Sequence, residues 1–379
     1  MLKNMELPLN LQRKLTERQN QGILRQLKTT AHTIDFCSND YLGLARSEAL
    51  KKAVEGELTR YAEVPAGATG SRLLSGNFAY TEELESFLAQ FHQAEAALLF
   101  NSGFVANTGF FSAVPQRGDT ILYDDTSHAS MKDGIRLSFA KAYSFRHNSL
   151  DDLRAKFTHA TGNVYVAVES LYSMDGDYAP LVEIAEICQE KGAYLVVDEA
   201  HSNGLFGQNG EGLVQELNLQ DRVFARVMTF GKALGCHGAV IVGSAALKQF
   251  LVNFSRPFIY TTALPLHAVL TIKCAYQLLP SLHTERVKVK HLSNYLKSCI
   301  APFPEFTINP EDSPIHAVQT KSIAQLKNIA NQAQKAGFDV RPVFSPTVPE
   351  GKERLRIIVH AYNSEAEIDK LAQTIADTL

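Results

Sequence analysis

Apolar positions along this chain fall into two alternating patterns. Between Tyr80 and about Pro265, stretches with apolar residues at helical spacing alternate with short continuous apolar runs at 96–100, 120–123, 164–168, 194–197, 223–228 and 239–242. Runs of that kind between helices predict strands buried on both faces, hence a mainly parallel sheet in an α/β domain. Upstream, Leu9, Leu11, Leu15, Ile23, Leu24 and Leu27 recur at approximately helical spacing and predict an amphipathic helix that lies on another surface. A short strand (33–37) and a helix near 48–58 follow. Beyond Pro265 two helical stretches (266–279 and 284–300) lead through Pro302, Pro304, Pro310 and Pro314 into a βαββα pattern. Its pieces are strand 315–318, helix 322–336, strands 339–343 and 354–359, and a helix from Ser364. The chain is thus expected to divide into an N-terminal helix and arm (residues 1–45), a large domain (46–280) and a small C-terminal domain (281–379).

In sheets of this class ligands gather in the loops beyond the carboxyl ends of the strands. Four polar loops fall there: Asn101-Ser102-Gly103-Phe104, Asp124-Asp125-Thr126-Ser127-His128, Glu169-Ser170-Leu171-Tyr172-Ser173 and Asp198-Glu199-Ala200-His201. The first would turn backbone N–H groups toward a phosphate at a helix N-terminus, although many such turns bind nothing. Thr229-Phe230-Gly231-Lys232-Ala233-Leu234-Gly235 adds one lysine at the mouth of an apolar run, with no carboxylate beside it in sequence. Desolvation lowers a lysine pKa, and a neutral amine attacks carbonyls, so Lys232 is a candidate Schiff-base lysine; a solvated lysine in a glycine-flanked turn is the alternative. A phosphate-cradling P-loop is excluded, because Arg226 and Ala233 stand where glycine and Ser/Thr are needed. Without it, and without a basic surface, the VVDEAH segment (196–201) does not read as a helicase box. His128, Asp198, Glu199 and His201 are metal-ligand types, yet no spacing supports a metal site.

Composition narrows the partners. With 37 basic and 40 acidic side chains the net charge is −3, which offers no electrostatic case for nucleic acid or an anionic membrane and leaves small molecules as expected ligands. The five cysteines are scattered and never form a CxxC pair, which predicts reduced thiols in a cytoplasmic protein. No apolar run approaches the roughly 18 residues of a membrane span, and polar residues interrupt the N-terminus where a signal core would lie.

A phosphate loop, an aromatic ring donor, an acid for a ring nitrogen, a nearby histidine and an imine-forming amine are together what pyridoxal 5'-phosphate requires. SNDYLGL (38–44), GATGSRLLSG (67–76), NSGF (101–104), SHAS (127–130), SLYSMDGDYAPL (170–181), VVDEAH, TFGKALG (229–235) and SPTVPEGKERLRI (345–357) make the chain resemble the α-oxoamine synthases. These are fold-type I pyridoxal-phosphate enzymes that condense an amino acid with an acyl thioester and release carbon dioxide. The resemblance implies Gly103, Phe104 and Thr229 at the phosphate, His128 stacked on the ring, Asp198 at the ring nitrogen and His201 at the phenolic oxygen. It implies Lys232 as the imine-forming amine, Ser173 and Asn39 lining the site, and Arg25, Thr347 and Arg356 on the substrate side. It further implies a homodimer in which Thr262, within Tyr260-Thr261-Thr262, reaches the partner's phosphate. The TFGK and PTVP segments favour L-alanine with a pimeloyl thioester over glycine with acetyl-coenzyme A or serine with a palmitoyl thioester. A regulatory ligand-binding protein on the same fold is the non-catalytic alternative. Ser202, Asn203, Cys236 and His237 depart from the family's usual residues.

Overall fold

A computed structural model describes residues 7–27, 29, 33–61, 67–303, 306, 308–309, 311–320 and 322–378. Pro304 and Pro310 of the proline-dense connector lie outside them. The strands, in chain order, are β1 (Ile34–Asp35), β2 (Ala96–Phe100), β3 (Thr120–Asp124), β4 (Lys141–Phe145), β5 (Val164–Glu169) and β6 (Tyr194–Asp198). They continue with β7 (Ala225–Thr229), β8 (Ala239–Gly243), β9 (Ile315–Gln319), β10 (Phe338–Asp339), β11 (Arg341–Val343) and β12 (Arg354–Ile358).

Seven strands form one sheet in the order β2-β8-β7-β6-β5-β3-β4. All its pairings are parallel except those of β8, which runs antiparallel to both β2 and β7. The expected mainly parallel α/β sheet is therefore present. β2 and the inner positions of β5 to β8 are buried throughout, as apolar runs covered by helices on both faces should be. Each fully buried Leu or Ile there contributes about 1.5–3 kcal/mol. β4 was not anticipated. It is an edge strand with only Phe145 buried, so Lys141-Ala142-Tyr143-Ser144-Phe145 carries no continuous apolar run.

A second core gathers Leu292, Leu296 and Ile300 of the helix His283–Ile300 with residues of β9, β12 and the helices Ile323–Lys335 and Glu365–Ala376. Phe36, from the N-terminal arm, is packed into it. The β11-β12-β9 sheet lies here, and the helix starts are capped: Ser322 accepts from Gln325 N, while Ser364 and Glu367 form a capping box. The single strand expected over 339–343 is two. β10 pairs in parallel with β1, whereas β11 pairs antiparallel with β12, and the intervening Val340 is buried. Pro342, which has no N–H to give, is tolerated because β11 is an edge.

The N-terminal helix covers only Leu9–Asn20 and none of its residues is buried; Leu9 is 82% exposed. It stops short of Ile23, Leu24 and Leu27 because Gly22 turns left-handed at φ 67°. The expected supporting surface is therefore not supplied within this chain's described residues.

Candidate active site

Lys232 sits in the connection between β7 and β8. That loop is closed by Phe230 N donating to Gly238 O (2.9 Å) and Cys236 N to Phe230 O (2.7 Å). Gly235, at φ 61°, lies against the backbone of Ala45, where a Cβ would collide; this contact ties the lysine loop to the 38–44 loop. The Lys232 amine is 2.6 Å from His201 Nε2, and His201 Nδ1 is 2.6 Å from the buried Tyr41 hydroxyl. Tyr41 also approaches Asn39 Oδ1 (3.3 Å), which accepts from Arg356 Nη2 (3.0 Å), while Arg356 Nε donates to Ser173 O (2.7 Å). Five of the residues singled out in the sequence, Lys232, His201, Asn39, Arg356 and Ser173, are thus joined through Tyr41, which was not singled out.

Asp198 ends β6 and is buried. Its Oδ1 accepts from Ala200 N (2.9 Å) and its Oδ2 from Asn107 Nδ2 (2.6 Å). Asn107 also donates to Ser130 Oγ, which lies 2.8 Å from His128 Nδ1. His128 N donates to Glu169 Oε1 (2.6 Å), so the β3 and β5 loops meet. His128 itself is exposed.

Burial sets the charge states. It brings the Lys232 amine down to about 8, even though the carboxylates of Asp198 and Glu169 favour its charged form. The sequence neighbourhood holds no carboxylate, but the sheet brings these two from other strands. Burial, and then the charge of Lys232, keep His201 well below the usual imidazole range, so it is neutral at pH 7. Although His128 keeps solvent-exposed surface, partial desolvation of its ring lowers it, and Glu169 is raised to about 8 by burial and by Asp198 beside it. A buried amine that loses its proton near neutrality, next to a neutral histidine, is equipped to attack a carbonyl and to carry a proton.

The helix Gly103–Ala113 begins where β2 ends. Ser102 caps it by accepting from Val105 N (3.2 Å), and the N–H groups of Gly103 and Phe104 point out of the helix end. A Cβ on Gly103 would come 3.2 Å from Thr229 Cβ, so a side chain would crowd the space between this helix end and β7. An anion cradle, a low-pKa amine and a buried, doubly hydrogen-bonded aspartate fit pyridoxal phosphate in donor type. Phe104 is 47% exposed, and Thr262 is exposed, held through its carbonyl by Asn101 Nδ2 (2.9 Å) and not bonded to the lysine cluster.

Arg25 and Thr347, 322 positions apart, meet through Arg25 Nη2 donating to Thr347 Oγ1 (2.9 Å). Both line a cavity of about 410 Å³ with Arg356. The departures from the family pattern are internally satisfied: Ser202 Oγ lies 2.8 Å from Ser170 Oγ, and Asn203 donates to the Tyr276 hydroxyl (3.2 Å). Of the residues the sequence reading missed, Glu169 belongs to a loop already marked and Tyr41 to another. Asn107 lies inside a helix, where no sequence signal points to it. No group of metal-ligating side chains occurs among the described residues, and no helix among them is long and apolar enough to cross a membrane.

The profile of the family described as Aminotransferase class I and II matches residues 31–375. The 8-amino-7-oxononanoate synthase of Emericella nidulans is 42% identical, covering 98% of this chain and 95% of its own. Among solved structures, a serine palmitoyltransferase from S. paucimobilis with bound PLP superposes with TM-score 0.88 at 27% identity, over 98% of this chain and 96% of its own. The 8-amino-7-oxononanoate synthase of Francisella tularensis superposes with TM-score 0.79 at 27% identity, over 91% and 97%.

Proposed function

As a member of the aminotransferase class I and II family, and within it of the α-oxoamine synthases, the chain is a pyridoxal-phosphate-dependent acyltransferase, and we propose that it condenses L-alanine with a pimeloyl thioester. The products are 8-amino-7-oxononanoate, carbon dioxide and the free thiol, a step of biotin biosynthesis. The geometry that carries the reaction class is the Lys232–His201 contact beside Asp198. The substrate choice is supported by the 42% identity to the Emericella nidulans enzyme over nearly the whole chain.

When bound, pyridoxal phosphate supplies an electron sink for the pair left at Cα. Gly103, Phe104 and Thr229 would hold its phosphate end and His128 its ring. Asp198 would keep a proton on the ring nitrogen, and His201 would donate toward the phenolic oxygen. Arg356 takes the amino-acid carboxylate, assisted by Asn39, which fixes Cα next to the Lys232 amine. Lys232 removes the Cα proton. Cα then bonds to the thioester carbonyl carbon as the C–S bond breaks and the thiolate leaves, and the original carboxylate departs as carbon dioxide. Lys232 returns a proton to Cα.

The same proposal puts the site at the boundary of a two-fold homodimer, with Thr262 reaching the partner's phosphate. The exposure of Phe104, Tyr260 (73%) and the N-terminal Leu9 supports that reading. A cytoplasmic location and the three-part domain division at 45 and 280 belong to the same proposal. Serine with a palmitoyl thioester is the second reading, favoured by the likeness to the S. paucimobilis enzyme. Glycine with acetyl-coenzyme A, the 2-amino-3-ketobutyrate ligase reaction, is the third. The test is borohydride reduction of the holoenzyme, peptide mapping, and mass analysis of the product from alanine and pimeloyl-coenzyme A. A label on Lys232 and the 8-amino-7-oxononanoate mass are expected; a label on another lysine, or no condensation product, rejects the proposal.

A further inference from the structure

The cavity beside Arg356 has an unusual wall. Four guanidinium groups, those of Arg18, Arg25, Arg341 and Arg356, line its roughly 410 Å³, and no carboxylate among the described residues does. Asp339 neutralises one of them, accepting from Arg341 Nε (2.9 Å) and Nη2 (3.2 Å). The Arg356 guanidinium donates to neutral partners, the Ser173 carbonyl and Asn39 amide oxygen, with the neutral Tyr41 phenol beside it, and Arg25 donates to the Thr347 hydroxyl. The guanidinium of Arg18, half-buried on the N-terminal helix, has no hydrogen bond or ion pair among the described residues, while its backbone carbonyl accepts from Ile23 N (2.9 Å). Three arginines without a carboxylate partner therefore line one small space, Arg25 from an exposed position, and their field draws in anions. An amino acid brings one carboxylate, for Arg356. A second anionic group is needed to answer Arg18 and Arg25, and neither an acetyl nor a palmitoyl group carries one. Ile23, Met174, Val343 and Phe344 line the same cavity and suit a short run of methylenes.

We propose that Arg18, together with Arg25, binds the terminal carboxylate of a dicarboxylic acyl group and so selects the acyl substrate; this rests on, and deepens, the pimeloyl reading above. The same guanidinium chemistry would suit the phosphates of coenzyme A, and the test separates the two sources. The holoenzyme is assayed with L-alanine and either pimeloyl-coenzyme A or heptanoyl-coenzyme A, which differ only in the terminal carboxylate. Arg18→Met and Arg18→Lys are compared with the unaltered protein. The helix carrying Arg18 has no buried residue, so neither change threatens the fold.

Arg18→Met is expected to lower kcat/KM for the pimeloyl thioester about ten- to a hundredfold, the range for a lost charged hydrogen bond, mainly through KM. The heptanoyl value should stay within about twofold, and Arg18→Lys should recover part of the loss. An equal fall with both thioesters assigns Arg18 to the phosphates and overturns the proposal, as does no fall with either. Those outcomes leave the reaction assignment standing if the unaltered enzyme turns over the pimeloyl thioester. An unaltered enzyme that uses neither thioester overturns both.

Discussion

Tyr41→Phe is the sharpest probe of how the chain prepares its lysine. The ring stays and the core keeps its volume; only the hydroxyl 2.6 Å from His201 Nδ1 is lost. A phenol is a far stronger hydrogen-bond donor than a neutral imidazole, so Tyr41 donates to Nδ1 and the ring hydrogen stays on Nε2. Nε2–H then faces the Lys232 amine at 2.6 Å, where only an unprotonated amine accepts it. Burial brings the Lys232 amine down to about 8; Tyr41 is thus a positioning residue that, by fixing this tautomer, favours the neutral amine further. One such hydrogen bond is worth about 1–1.5 kcal/mol, or about one pKa unit. In Tyr41→Phe the histidine is free to take the other tautomer and accept from an ammonium, so the Lys232 midpoint should rise to about 9. The assay is the pH dependence of amine modification of the cofactor-free protein, read at the Lys232 peptide. A midpoint within about 0.3 units of the unaltered protein, in a variant that still folds, refutes the reasoning.

Three further outcomes follow from other groups. His147 sits between Asp124 (2.9 Å) and Asp177 (2.6 Å); burial alone would lower its pKa, but the two carboxylates raise it to about 10. That stabilisation is complete below the ordinary value of 6.5 and is lost as pH rises through about 10. His147→Gln should therefore cost about 3 kcal/mol at pH 6 by urea unfolding, with the deficit closing toward pH 10; a pH-independent deficit contradicts this. Gly103→Ala, crowding Thr229, should weaken cofactor binding about tenfold by absorbance titration, or about 1.4 kcal/mol, while the cofactor-free protein melts normally; unchanged affinity removes Gly103 from the phosphate end. Glu169, raised from 4.5 to about 8, makes the folded protein lose stability as pH climbs through that window. Glu169→Gln should remove the decline, so the melting-temperature gap of the cofactor-free variant over the unaltered protein grows from pH 4.5 to 8; a constant gap contradicts the buried-acid account.

The sheet was legible because strands covered on both faces must be mostly apolar, and β2 and β5 to β8 are, apart from Glu169 and Asp198 at the ends of β5 and β6 and from Arg226 and Thr229 in β7, where Arg226 is buried against Glu199. Edge positions escape that logic: β4 buries one residue of five, and the 339–343 segment changes partner at Val340. Lys232 was legible from its glycine-flanked turn, but its electrostatics were not. Asp198 and Glu169 reach it from the ends of β6 and β5, and a run of sequence records no distance between strands. Tyr41, Asn107 and the Arg25–Thr347 contact depend on the same long-range closure. The N-terminal leucines show the converse: the pattern was readable, yet no residue of Leu9–Asn20 is buried against the described residues.

The central claim, decarboxylative condensation of alanine with a pimeloyl thioester, is tested most directly by thiol release across a matrix of amino acids and acyl thioesters. The matrix pairs alanine, glycine and serine with pimeloyl, acetyl and palmitoyl groups. One methyl group changes pocket binding by only about 1–3 kcal/mol, so modest turnover of glycine or serine is compatible with the account. The account predicts the highest kcat/KM for alanine with the pimeloyl thioester, with carbon dioxide and thiol released in equal amounts. A preference of about tenfold or more, roughly 1.4 kcal/mol, for glycine with acetyl-coenzyme A or serine with palmitoyl-coenzyme A would contradict it.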